Sequence, residues 1–139
     1  VYSHDSPKKP AADIICGGLG RDIMSGGDGY DDFDFNVISE TGKTSTTRDQ
    51  ITDFVHLQDD IDLSTIDAST KAAGNNAFKF IGTAAFHKVA GELKYFKTDA
   101  AGTTNDKTII CGDVNGDALY DFAIELTGLK LLSTSDFIL

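Results

Sequence analysis

The chain has 139 residues, with 12 Lys plus Arg against 22 Asp plus Glu and a formal charge of −10. That length fits one domain, and folding at this size buries roughly two thirds of the unfolded chain's surface, enough for a core without disulfides. The charge excludes nucleic acid and anionic lipid as partners, because both need clustered Lys and Arg, and leaves cations as the natural partners. No run of about 20 apolar residues is present, so stable membrane insertion is excluded, and the N-terminus lacks a signal-peptide pattern. The acid is 19 Asp to three Glu, and Asp belongs to turns and to oxygen-ligand metal loops.

Residues 1–12 are polar, carry Pro7 and Pro10 and are expected to form a linker or a disordered end. The absent initiator Met predicts that more protein precedes them. Structure is expected from Asp13. Two adjacent nonapeptides follow, Gly17-Gly18-Leu19-Gly20-Arg21-Asp22-Ile23-Met24-Ser25 and Gly26-Gly27-Asp28-Gly29-Tyr30-Asp31-Asp32-Phe33-Asp34. Their glycines permit positive φ and turn successive carbonyls to one point, while the sixth-position Asp adds charge. A short strand ends each unit, with Met24 or Phe33 expected to point inward. If each unit is half a coil, positions on one edge recur after two units, which pairs Asp13 with Asp31 and Asp22 with Glu40. The flanking half-coils, 8–12 and 35–39, have lost every glycine, yet an acid persists at the sixth position of each.

Four carboxylates in two stacked pairs make two hard-cation sites. Carbonyls from the loops Gly17, Gly18, Gly20 and Gly26, Gly27, Asp28, Gly29 would complete them. Oxygen-only ligation without His favours Ca²⁺ over transition metals. The alternative is a metal-free pair of Gly-rich turns. A phosphate loop is the poorer reading, since no helix follows and Asp repels phosphate. Asp49 and Asp53 are candidates for a further ligand, the alternative being a solvated turn flanking Ile51 and Phe54.

Beyond the repeats the chain reads as turns and short strands. Asp59, Asp60 and Asp62 are expected to form a turn entering one helical turn at Ser64-Thr65-Ile66-Asp67, with Ser64 as its N-cap. Strands are expected over 77–81, 93–96 and 108–111. Tyr120, Phe122, Ile124 and Leu126 alternate with Asp121, Ala123 and Glu125, which predicts a strand with one buried face. Asn115-Gly116-Asp117 is the hairpin turn before it. Asp113, Asn115, Asp117 and Asp121 match part of an EF-hand loop, but Ala118 and Ile124 break the match. Cys16 and Cys111 lack zinc spacing and are expected to be buried, with one disulfide as the alternative. His4, His56 and His87 are scattered, and no HExxH or GxSxG motif accompanies them, so no catalysis is expected in this chain.

The tandem nonapeptide is the signature of calcium-binding β-helix repeats. With Asp49-Gln50-Ile51-Thr52-Asp53-Phe54, Asp60-Ile61-Asp62-Leu63-Ser64, Phe80-Ile81-Gly82-Thr83-Ala84-Ala85-Phe86, Ala90-Gly91-Glu92-Leu93, Gly112-Asp113-Val114-Asn115-Gly116-Asp117 and the ending Asp136-Phe137-Ile138-Leu139, the chain resembles the repeats-in-toxin (RTX) proteins, and among them the serralysin-type metalloprotease C-terminal domain. The resemblance implies an all-β fold in a single domain over 13–139. A short parallel β-roll (13–40) would run into an antiparallel β-sandwich cap (41–139). It also implies a monomer that binds calcium ions and is secreted from a Gram-negative cell. A type I ABC secretion apparatus would read the uncleaved C-terminus, and any active site would lie upstream. The alternative is a carbohydrate-binding module assisting a polysaccharide-modifying enzyme, as alginate epimerase rolls resemble, although this roll offers only Arg21 and Tyr30. Two features depart from the family: exported proteins of this kind usually avoid Cys, and the repeat array is short.

Overall fold

The computed structural model describes residues 12–99 and 106–139. The linker expected over 1–12 lies outside the described residues apart from Ala12. The chain winds back and forth between two sheets. One holds β1 (Ile14–Ile15), β3 (Asp32–Asp34), β5 (Asp60–Asp62) and β10 (Phe137–Ile138) in that order, all parallel. The other holds β2 (Ile23–Met24), β4 (Asp49–Ile51), β9 (Phe122–Thr127), β8 (Lys107–Asp113), β7 (Glu92–Thr98) and β6 (Lys79–Phe80). There β2, β4 and β9 are parallel, while β9, β8 and β7 form an antiparallel meander. The protein is thus all-β, a parallel roll continuing into an antiparallel cap, as expected.

Each roll strand is short because it carries one inward residue between turns. Ile15, Met24, Phe33, Ile51 and Ile61 are at most 2% exposed and stack as successive rungs of one core. Every one of them lies two residues after an Asp: Asp13, Asp22, Asp31, Asp49 and Asp59. Parallel stacking continues past residue 40 into β4 and β5. The first coil advances 18 residues from Asp13 to Asp31, the repeat of two nonapeptides. The next advances 27 from Asp22 to Asp49 and 28 from Asp31 to Asp59. The extra length is the excursion between β3 and β4, which includes a 3₁₀ turn at Ile38–Glu40.

Several local expectations change, among them the turn expected over Asp59, Asp60 and Asp62, where Asp60–Asp62 forms strand β5. A single turn forms at Ser64-Thr65, with the Ile66 N–H on the Leu63 carbonyl at 3.0 Å, but it is not helical; the Asp62 carboxylate accepts the Ser64 N–H and hydroxyl at 2.9 and 2.6 Å. The expected 77–81 strand shrinks to β6, parallel to β7. In β9 both faces are buried, because Ala123 joins Ile109 and Cys111 in a second cluster covered by Phe86, Phe96 and Tyr120. Period-two alternation shows which residues share a face but not whether something covers the other. Cys111 is buried as expected, and burial pushes its thiol up to about 12. Cys16 departs from that expectation, being exposed with its Sγ 3.5 Å from Asp34 Oδ2, and both cysteines are free.

Candidate metal centre

The acid that precedes each inward residue folds back toward the loop before it. The Asp22 carboxylate lies against Gly17, so close that a Cβ there would sit 2.6 Å from Asp22 Oδ2. Gly26 and the Asp31 carboxylate repeat the arrangement. Any other residue at either position would expel the acid from the loop, so the first glycine of each nonapeptide is needed for space. The later glycines serve the turn, with φ of +77° and +84° at Gly18 and Gly20, and +79° and +109° at Gly27 and Gly29.

Successive coils are tied by carboxylate to backbone bonds. Asp31 Oδ1 accepts the Asp13 N–H at 2.9 Å, and Asp59 Oδ1 accepts the Asp31 N–H at 3.0 Å, building one acid column. On the opposite edge Asp49 Oδ1 accepts the Asp22 N–H at 2.8 Å. The expected partner of Asp22 is therefore replaced: it stacks on Asp49, because the long second coil carries position 40 out of the column. Glu40 accepts the Asn36 N–H at 2.6 Å, though its charge still reaches Asp49. Asp53 spans the second glycine loop, accepting the Gly26 and Gly27 N–H groups at 3.0 and 2.8 Å. Asp28 stands exposed in that loop. Asp59 is the member that reading the sequence for a turn missed. The signal that finds it is the Asp-x-apolar triplet, which recurs at 59–61 after the glycines have gone.

The Asp22–Asp49 column passes a test for a cation. Oδ2 of each carboxylate is buried without a hydrogen-bond partner, and an anionic oxygen so placed is costly unless something positive meets it. Burial pushes Asp49 up to about 6; the Asp22 N–H that it accepts opposes the rise, while the charges of Asp22 and Glu40 add to it. Burial likewise raises Asp59. Among the described residues no three His, Cys, Asp or Glu side chains converge on one point. An ion held here would need backbone carbonyls as well as the two carboxylates, a donor set that suits Ca²⁺.

Outside the roll, the EF-hand-like loop satisfies itself. Asp113 accepts the N–H groups of Asn115, Gly116 and Ala118 at 3.2, 2.7 and 2.9 Å, and Asp121 accepts that of Val114 at 2.8 Å. The loop is the β8–β9 hairpin connection. At the C-terminus Asp136 is fully buried, accepting the Leu57 and Ser133 N–H groups at 2.9 and 2.8 Å and meeting His56 Nδ1 at 2.6 Å. Phe137 packs on Phe80 with ring centroids 5.0 Å apart. Among the described residues no helix is long and apolar enough to cross a membrane.

The fold is similar to two solution structures from the Azotobacter vinelandii mannuronan C5-epimerase. The AlgE6R3 subunit superposes with a TM-score of 0.55 at 23% identity, over 90% of this chain and 61% of that one. The AlgE6R2 subunit gives 0.57 and 24%, over 89% and 68%. The chain therefore spans about three fifths of the first relative's length and two thirds of the second's. No curated protein matches it. The family model for the peptidase M10 serralysin C terminal matches residues 11–139. Modules of that family are non-catalytic, calcium-binding β-rolls of secreted proteins. With its tandem glycine loops, its acid columns and a match from end to end of the described residues, the chain belongs to the peptidase M10 serralysin C-terminal family.

Proposed function

We propose that this chain is a calcium-dependent folding module that also carries an export signal for whatever is joined to it. The observation that carries the metal half is the Asp22–Asp49 pair, whose inner oxygens are buried without partners beside the Gly17 loop. Asp22 and Asp49 would hold one ion with carbonyls of the 17–20 loop. Asp13, Asp31 and Asp59 would serve a second with the 26–29 loop, while Glu40 and Asp53 act on these loops from outside. The ion supplies positive charge that relieves the repulsion and desolvation of the stacked carboxylates. Calcium at about a hundred times its Kd would add roughly 2.7 kcal/mol per site, a large share of a small domain's stability. The test is thermal melting in EDTA and in excess Ca²⁺. The melting temperature should rise with calcium, and Asp49→Asn, which keeps an acceptor for the Asp22 N–H but loses the charge, should abolish much of the rise. Asp117→Asn, in the hairpin loop, should not. Equal melting temperatures in EDTA and Ca²⁺ would reject the metal reading.

The export half rests on Asp136-Phe137-Ile138-Leu139, an acid followed by three apolar residues. In the fold these residues complete the roll sheet, with Phe137 beside Ile61. A type I exporter would have to read them before β10 docks, which fits a cytosol poor in calcium and an exterior rich in it. Deleting residues 136–139 should stop export of a fused passenger from a host with the matching transporter. Export at the wild-type level would reject the signal while leaving the calcium module standing.

A further inference from the structure

The turn between Phe54 and Asp60 repeats the shape of the glycine loops without a glycine. Leu57 stands two residues before Asp59, as Gly20 stands before Asp22 and Gly29 before Asp31, and it shares their positive φ, at +67°. A leucine keeps that conformation only where its surroundings hold it there. Two carboxylates do so. Asp59 Oδ2 accepts the Val55 N–H at 2.9 Å, while the Val55 carbonyl accepts the N–H groups of Gln58 and Asp59 at 3.1 and 2.9 Å. The second carboxylate comes from the far end of the chain, where Asp136 Oδ1 accepts the N–H of Leu57 itself at 2.9 Å.

Each of these carboxylates has a second engagement. Asp59 Oδ1 accepts the Asp31 N–H at 3.0 Å, which places Asp59 in the acid column beside the loop where Gly26 leaves room for the Asp31 carboxylate. Asp136 immediately precedes β10 and is fully buried, with the Ser133 N–H at 2.8 Å and His56 Nδ1 at 2.6 Å on its other oxygen. β10 is two residues long and pairs with β5 alone, at the edge of its sheet. Terminal residues stay ordered only where something ties them down. Here the ties are the Asp136 carboxylate, the Ile138 carbonyl, which accepts the Leu63 N–H at 2.8 Å, and the packing of Phe137 on Phe80. A buried carboxylate that leaves its donors only partway loses their bonds without regaining water, so Asp136 is either seated or released. One strained turn therefore joins the acid column to the end of the chain.

We propose that the 55–59 turn is a calcium-controlled clamp for the chain's own C-terminus, an inference that rests on the calcium reading above. When Asp31 and Asp59 hold an ion, the Asp59 carboxylate is fixed, and the turn presents the Leu57 N–H and His56 to Asp136. By linkage the seated tail raises the affinity for the ion by the same factor. Calcium thus withdraws Asp136 and Phe137 from any receptor that reads them, and its removal hands them back. The Asp22–Asp49 column on the opposite edge is the internal control. The test titrates full-length ¹⁵N-labelled protein with Ca²⁺, the amides of 17–22 and 26–31 reporting the two columns separately, and follows release of the last residues by a serine carboxypeptidase, which needs no metal. In the wild type, release should slow about tenfold or more as the 26–31 amides saturate. Asp136→Asn, which keeps an acceptor for the Leu57 N–H but loses the charge, should weaken calcium at 26–31 about fivefold or more and at 17–22 by less than about twofold. His56→Gln should move both readouts in the same direction by a smaller factor. Asp59→Asn should expose the tail to the carboxypeptidase while calcium still saturates the 17–22 amides, and Asp117→Asn should change neither readout. Melting curves establish that each variant is folded. Tail release that is equal before and after saturation of 26–31, wild-type calcium affinity at 26–31 in both Asp136→Asn and His56→Gln, or equal weakening of the two columns, as a general loss of stability would give, would each overturn the clamp while calcium binding stands. No calcium shifts in either loop would overturn the calcium reading and the clamp together.

Discussion

Strands β1 to β5 are two or three residues long, whereas β7, β8 and β9 run to six or seven. The short ones bury one apolar side chain each and are joined by carboxylates that accept backbone N–H groups of the preceding coil. Of the long ones β8 and β9 bury both faces, and all three are joined by continuous antiparallel ladders. Like charges accumulate in the roll: on its outer face Asp32 lies opposite Asp60 and Asp34 opposite Asp62, a pairing that opposes strand association. The cap can hold itself together by burial and backbone bonds, while the roll needs its charge answered. On the function proposed above, this difference would let one chain combine a calcium-responsive roll with a stable scaffold.

The strongest blow to the cap is Phe122→Ala. Its ring lies on Gly112, where a Cβ would come within 2.5 Å of it, and meets Phe78 edge-on with centroids 5.6 Å apart. The loss should be about 3–5 kcal/mol, and it should appear equally in EDTA and in Ca²⁺, as measured by denaturant unfolding. A loss that calcium repairs would mean that the cap depends on the roll, and the comparison would fail.

The second test sharpens the roll. Because burial raises Asp49 from 3.8 to about 6 in the fold, the native state binds that proton more tightly than the unfolded chain does. The stabilisation is fully present below the unfolded value and is lost as pH rises through the folded one. The metal-free melting temperature should therefore fall as pH rises through that window, and the fall should shrink in Asp49→Asn. Calcium competes with the same proton, so its stabilising effect should grow over the same interval. A metal-free melting temperature with the same pH dependence in wild type and Asp49→Asn would break the assignment of Asp49. The smallest expected change is Ala118→Gly, which relieves a positive φ in the hairpin loop and should raise stability by about 1 kcal/mol or less in either metal state.

The acid triplets show where reading the chain succeeds and where it stops. Asp13 and Asp31 stack as the nonapeptide period requires, since nothing is inserted between them. Asp22 meets Asp49 instead of Glu40, because the excursion before β4 has no period of its own and its length is free to vary on the surface. Asp59 was hidden for the same reason, lying in a coil without glycines. The second cluster under Phe86 and Tyr120 was illegible too, since those two residues come from loops far apart in sequence that meet only over the folded sheet.

By itself the sequence determined the glycine turns, the inward Met24 and Phe33 and the hairpin before β9. Each of these depends on φ, side-chain size and alternation within a few residues. Tertiary structure alone decided which carboxylates share a column, that both faces of β9 are covered and that β10 closes the roll sheet beside β5. Those outcomes depend on how long loops return, and on which side chains meet once distant strands have paired.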